Sequence, residues 1–308
     1  MNEAQLLADK AVVMPKRTSF RPNGDGWFKL FTYTFITLFT LFSIIPFWMV
    51  VAGSLTSEKS LTKYGFRLWP KEWSLDAYQY LFTGKQVFQS YYVSVTVTVV
   101  GTISALVMSA MFAYVLSHRR VKYRNILAFL TYFTFLFGAG LVGFYILITN
   151  WLHLKDSMLA LILPYLLNPF YTFILVSFFR TVPYEINEAA TVDGANELYI
   201  FFRIIWPLSM PALATVGLFY ALHYWNDWWL ALLFIDNKDL HPLQMMIREL
   251  ISTINIESYI GGASVSEAPP SKSIQFATVC VTIGPIILLY PFLQKYFVKG
   301  LTIGSVKG

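Results

Sequence analysis

Long apolar runs separated by short polar segments dominate the chain. A membrane-crossing helix needs about 20 predominantly apolar residues, and six windows meet that length: 28–52, 91–116, 126–149, 157–179, 211–235 and 274–298. Pro164, Asn168 and Pro169 interrupt the fourth. Such breaks survive inside a membrane only where neighbouring helices or water satisfy the freed backbone groups. Pro46, Pro285 and Pro291 predict kinks in the first and last spans. The pattern predicts an all-α integral membrane protein with a polar N-terminal segment 1–27, a transmembrane domain 28–298 and a tail 299–308.

The polar segments carry the orientation. Lys16, Arg17, Arg21 and Lys29 precede the first span, and Arg119, Arg120, Lys122 and Arg124 crowd the link between spans 2 and 3. Arg180 and Arg203 lie between spans 4 and 5, and Lys295 and Lys299 close the last span. Basic residues collect on the cytoplasmic side. Six spans put all these segments there and make both termini cytoplasmic, in a multi-pass protein of the cell (plasma or inner) membrane. The outer side then holds two long segments, 53–90 and 236–273, and the stiff string Ala268-Pro269-Pro270-Ser271 closes the second. The polar N-terminus and the long first run do not fit a cleavable signal peptide.

Composition strengthens this picture. Of the 308 residues 56% are hydrophobic, 18% aromatic and only 13% charged, against about 25% charged in soluble domains. The charges are also clustered: no acid, lysine or arginine lies between Lys85 and His118. A soluble enzyme, a disordered chain and a disulfide scaffold are excluded together. The net charge of +6 encodes topology rather than affinity for nucleic acid. The single Cys280 forms no intrachain disulfide, and the four histidines have no metal-ligand spacing with it. No G-x-x-x-x-G-K-[S/T] phosphate loop or G-x-S-x-G elbow is present. This reads as a chain without catalysis of its own.

Within the spans, Gly101, Ala105, Ser109 and Ala113 form a four-residue repeat on one helical face. Small faces let helices approach closely, here either inside the subunit or against a second one. Gly138, Gly140 and Gly143 in span 3 read the same way, or as local flexibility. Asp227 is the one acid placed inside a span, in His223-Tyr224-Trp225-Asn226-Asp227-Trp228-Trp229. A carboxylate there costs about 2.5–3.5 kcal/mol on the insertion scale and faces a cavity or a partner. Interface anchoring and helix pairing is one reading; the other makes Trp225, Asn226, Asp227 and Trp228 line a substrate path, where aromatic faces beside polar groups suit sugar rings.

The segment 181–207 differs from the other cytoplasmic links. Pro183 followed by Glu185 and Glu188 marks a helix start. Gly194 permits a break, and a second helical stretch runs to Trp206, where Pro207 and Pro211 end it and begin span 5. A helix–turn–helix knob follows from this; on physics alone it could be an acidic surface helix and nothing more.

The ordered set Glu188-Ala189-Ala190, Gly194, Ile204 or Ile205 and Pro207 resembles the cytoplasmic signature of ABC-importer permease subunits. The wider string Pro183 to Pro211, Trp225-Asn226-Asp227 in span 5 and the ending Gly300-Leu301-Thr302 … Val306-Lys307-Gly308 resemble the maltose-type, carbohydrate-uptake branch, and the likeness covers nearly the whole chain. The resemblance implies that Glu188, Ala189, Ala190, Asp193, Gly194 and Pro207 couple the spans to an ATPase through a coupling helix. It implies that Gly300, Leu301, Thr302, Lys307 and Gly308 form a tail between the paired ATPases, and that Tyr259, Gly261 and Gly262 tip a loop that enters a binding protein. The implied partners are a second homologous permease subunit, two ATPase subunits holding ATP and Mg, an extracytoplasmic sugar-binding protein and membrane lipid. The implied function is alternating-access import of a carbohydrate, an oligosaccharide, with no cofactor on this chain. The rival classes are an ion-coupled secondary transporter and a membrane sensor holding a soluble signalling partner; absent charge relays and repeats weigh against the first.

Overall fold

The computed structural model describes residues 25–138, 140–260, 272–285 and 287. These are almost entirely helical, and the only strand pairing among them is an isolated bridge between Thr56 and Trp73. Helix α1 (Asp25–Ser54) runs through Pro46. Up to Met49 it belongs to a unit of its own. Its apolar side chains there are largely exposed, with Phe31, Phe35 and Phe39 stacked at successive 6.3 Å centroid spacings.

The second unit begins at Val50. Its first segment, 55–84, holds α2 (Glu58–Tyr64) and α3 (Asp76–Thr83). Helix α4 (Lys85–Ser117) follows. It starts six residues before the expected position 91, because a hydropathy window finds the apolar slab and not the helix. The added turns are polar but anchored: Gln86 and Gln89 donate to the carbonyls of Lys238 and Asp239 at 2.8 and 3.0 Å, and Val87 and Ser90 are buried.

Span 3 comes in two pieces, α5 (Arg124–Leu136) and α6 (Leu141–Ile146), the latter continued by a π-helical turn Leu147–Trp151. Gly140 has φ +77°, and a β-carbon on Gly138, Gly140 or Gly143 would meet nothing within 4 Å. Gly138 and Gly140 lie at the break while Gly143 sits inside α6, and none of the three packs against a neighbour among the described residues, so close packing inside the subunit does not hold for them. Span 4 is broken where the prolines predict. Helix α7 (Met158–Ile162) and a 3₁₀ turn Leu163–Tyr165 meet α8 (Pro169–Phe179) at 47°, and Asn168 Oδ1 caps α8 by accepting Tyr171 N–H at 3.3 Å.

Then come α9 (Tyr184–Val192), α10 (Glu197–Ile200) with a π-helical stretch Phe201–Ile205, and α11 (Trp206–Leu208). Pro207 lies inside that last turn and does not end the helix. The chain turns by 87° two residues later, at Ser209, into α12 (Met210–Asn226). The expected continuous span 211–235 is two helices, because Asp227 adopts an extended conformation and α13 (Trp229–Phe234) starts afresh. The segment expected as an outer loop contains α14 (Leu243–Ile260). Helix α15, 272–285, is the described part of span 6. Among the described residues α1 and α4 are each long and apolar enough to cross a membrane, and three bent pairs reach that length only together.

The core of the second unit forms where α4 packs on α12 and α8. Gly101, Ala105, Ser109 and Ala113 are all buried there. Two tyrosines one turn apart on α12 face this stripe and mend the broken span. Tyr220 Oη accepts Asn168 N–H at 2.9 Å and lies 2.5 Å from Ser109 Oγ, while Tyr224 donates to the Ile162 carbonyl at 2.9 Å. The small-residue face thus serves packing inside the subunit.

Candidate functional site

The segment after α8 folds by local rules. Pro183 stands at the N-cap of α9 with Glu185 in the first turn, where a carboxylate meets the positive end of the helix dipole. At the other end Gly194 N–H donates to Thr191 O at 3.1 Å and Ala195 N–H reaches back to Ala190 O at 3.0 Å. This closure needs a left-handed residue, and Gly194 has φ +82°. Asn196 Oδ1 then caps α10 by accepting Tyr199 N–H at 2.8 Å, so two helices flank one tight turn.

Ala190 is buried, whereas Glu188, Ala189 and Asp193 are exposed and Val192 is 86% exposed. Val192, set between the exposed Thr191 and Asp193, is covered by no described residue of the chain. Beside it, Ala190, Asp193, Gly194, Asn196, Tyr199 and Ile204 line a hollow of about 470 Å³. The basic link 118–123 lies against the same segment. Arg120 Nη2 is 4.0 Å from Glu188 Oε1, Arg119 stands over the Tyr184 ring at 5.6 Å, and His118 Nε2 is 3.9 Å from Glu197 Oε2. Between link and segment opens a polar hollow of about 870 Å³.

The other sequence-marked residues lie elsewhere. Trp225 is buried with Leu243, Met246, Ile274 and Ala277, and its indole donates to Thr282 O at 3.3 Å; it faces the interior. Asp227 Oδ1 accepts the Tyr165 hydroxyl at 3.0 Å, and Oδ2 accepts Leu230 N–H at 3.2 Å. One carboxylate thereby ties span 4 to span 5 and caps α13. Asp227 and Asn226 also line a pocket of about 390 Å³ with Tyr171, Phe219, Leu222 and His223. Trp228 lies outside that pocket, and Arg248 stands over its ring at 4.5 Å. Tyr259 lies in α14, while Gly261 and Gly262 fall outside the described residues, as do all five tail positions from Gly300 to Gly308.

The sequence reading missed Tyr114, His118, Glu197, Tyr165 and Tyr220 as working residues. Their signal was present: Tyr114 and His118 are four apart at the end of an apolar helix, and Asn196-Glu197 is a cap followed by a first-turn acid.

Residues 105–303, which contain this whole segment, match the family described as binding-protein-dependent transport system inner membrane component. The chain belongs to that family. The permease is 39% identical to the polygalacturonan/rhamnogalacturonan transport system permease protein YtcP of Bacillus subtilis, over 91% of this chain and 98% of that one. It is 41% identical to protein LplC of the same organism, over 86% and 90%. A solved relative, the crystal structure of a bacterial ABC transporter involved in the import of the acidic polysaccharide alginate, superposes with a TM-score of 0.81 at 28% identity. That match covers 91% of the permease and 100% of the solved chain. The likeness thus gives the chain an ABC-transporter permease fold. Neither an ion-coupled carrier nor a sensor is favoured by it.

Proposed function

We propose that the permease is one of two different transmembrane subunits of an ABC importer that moves an oligosaccharide from an extracytoplasmic binding protein into the cytoplasm. Six spans, with both termini cytoplasmic, are the arrangement that places the four basic segments 16–29, 119–124, 180–203 and 295–299 on one side. Segment 181–207 is the coupling element: α9 seats in a cleft of an ATPase partner, and ATP with Mg is held and hydrolysed there. The Gly300–Gly308 tail makes the second ATPase contact, and the loop around Tyr259 to Gly262 reaches the binding protein. The carbohydrate reading draws on relatives whose names specify polygalacturonan, rhamnogalacturonan and arabinooligosaccharides.

The observation that carries the coupling role is the bare helix–turn–helix, with Val192 86% exposed beside a Gly194 turn that no other residue type adopts without strain. The test is the assembled transporter in proteoliposomes with oligogalacturonides as a probe panel. Gly194→Leu strains the left-handed turn and adds bulk at the seating face, and Glu188→Lys places the wrong charge there. Both variants insert and assemble, and lose uptake together with binding-protein-stimulated ATP hydrolysis. Normal stimulation in both refutes the coupling role.

A further inference from the structure

Glu197 stands outside the Glu-Ala-Ala … Gly pattern, yet the inner end of α4 closes on it. Tyr114 donates its hydroxyl to Glu197 Oε2 at 2.8 Å, and His118 approaches the same oxygen. The Tyr114 ring packs on Phe201 at 5.3 Å, and the His118 ring on Tyr184 at 5.8 Å. A phenol on a carboxylate is a charge-assisted hydrogen bond, shorter and stronger than a neutral one. The Arg120–Glu188 pair nearby has both side chains more than half exposed and adds little; the Glu197 side chain is itself 59% exposed, but its donor Tyr114 is buried.

On its N-terminal side this segment follows α8 after only four residues, Arg180 to Pro183, but on its C-terminal side chain continuity links it poorly to α12. Between α9 and α12 lie a left-handed glycine, a π-helical stretch and an 87° turn, and each can absorb movement. Helix α4 has no direct covalent connection to the segment at all. Yet α4 carries Gly101 and Ser109 against Tyr224 and Tyr220 of α12, the helix that ends at Asn226.

We propose that Tyr114 and Glu197 form a clasp that makes α4 follow the coupling segment, and that both are positioning residues for energy coupling. This rests on the coupling role of 181–207. A thrust delivered at α9 then reaches the core through a side-chain contact, not only along the backbone.

The test uses the whole transporter with its ATPases in a Cys280→Ser background, spin-labelled at Met108→Cys on α4 and Tyr199→Cys on α10; both native residues are about half exposed. Distances are read without nucleotide and after trapping with Mg-ATP and vanadate. With the clasp intact the two labels keep their separation. Tyr114→Phe retains the ring and its packing but loses the donor, so trapping shifts the separation by about 2 Å or more, the scale of helix shifts in switching proteins. Glu197→Ala removes the acceptor and gives the same shift, and the double variant gives no more than either single one. Glu197→Gln keeps one acceptor oxygen and holds the separation at least in part; should Glu197→Ala not assemble, Tyr114→Phe alone decides. Separations unchanged in Tyr114→Phe and Glu197→Ala overturn the clasp; Gly194→Leu losing stimulated ATP hydrolysis in parallel then leaves the coupling role standing. Normal hydrolysis in Gly194→Leu removes the coupling role, and the clasp with it.

Discussion

A β-carbon on Gly101 would stand 2.7 Å from Cζ of Tyr224, so the α4 backbone and the α12 ring share one volume that only glycine leaves open. The ring cannot yield freely, because its hydroxyl is held by the Ile162 carbonyl, an acceptor freed by the break in span 4. Gly101→Ala therefore displaces Tyr224 and strands that carbonyl. Overpacking of this kind costs about 1–3 kcal/mol. Thermal unfolding of the purified complex should show the loss, and Gly138→Ala, which meets nothing within 4 Å, should show none from packing.

Asp227 separates a structural role from a transport role. Its two oxygens hold Tyr165 and the first turn of α13. Asp227→Asn keeps one acceptor oxygen, and its stability should stay close to that of the native chain. Asp227→Ala removes both acceptors and should cost about 1–2 kcal/mol, the scale of a lost N-cap. If Asp227 also lines the sugar path, Asp227→Asn lowers oligosaccharide uptake at unchanged melting temperature. Unchanged uptake assigns the carboxylate to helix pairing alone.

These two sites show which features the sequence displays and which it hides. The break at Asn168-Pro169 is legible because proline removes a donor and asparagine caps. The break at Asp227 uses similar chemistry, but inside an apolar run the carboxylate reads as an intruding charge and not as a helix start. Helix α14 escapes notice because Arg248, Glu249 and its polar neighbours make the segment look like loop, while Leu243, Met245 and Met246 supply its buried face. The turn at Gly194 is plain from one glycine after Glu-Ala-Ala. The clasp on Glu197 joins residues 83 apart, and no local pattern announces it.

Asp156 gives an acid-limb prediction. The backbone N–H groups of Asp236 and Asn237 donate to its Oδ1 at 2.6 and 2.8 Å and hold its carboxyl below the usual aspartate range. A carboxylate whose pKa is lowered on folding contributes stability fully above its unfolded value, about 3.9, and loses it as pH falls through the lower folded value. The linkage should thus be complete at neutral pH and fade only below about pH 4. Asp156→Asn should flatten that limb of the melting-temperature profile, with little change in slope near neutrality. A profile as steep as that of the native chain counts against the assignment.

The last prediction concerns the start of α15. Glu58, in the first turn of α2, accepts Ser273 N–H at 2.9 Å, Ser273 Oγ–H at 3.0 Å and Lys272 N–H at 3.3 Å. A carboxylate at a helix N-terminus satisfies otherwise orphaned donors and meets the positive end of the dipole. The contact comes from a segment some two hundred residues away and ties α2 to the first described turn of α15. Ser273, Ile274, Ala277 and Thr278 are buried around this start, and the helix continues to Phe276, whose ring fills the space beside Gly53. Glu58→Ala removes the cap without touching that packing. It should cost about 1 kcal/mol and raise amide exchange in 272–276 while α4 stays protected. Glu58→Gln retains one acceptor oxygen and should recover part of the protection, because the amide oxygen still caps but carries no charge. Exchange in 272–276 that is indifferent to both substitutions would mean that the helix start is held by its buried face alone.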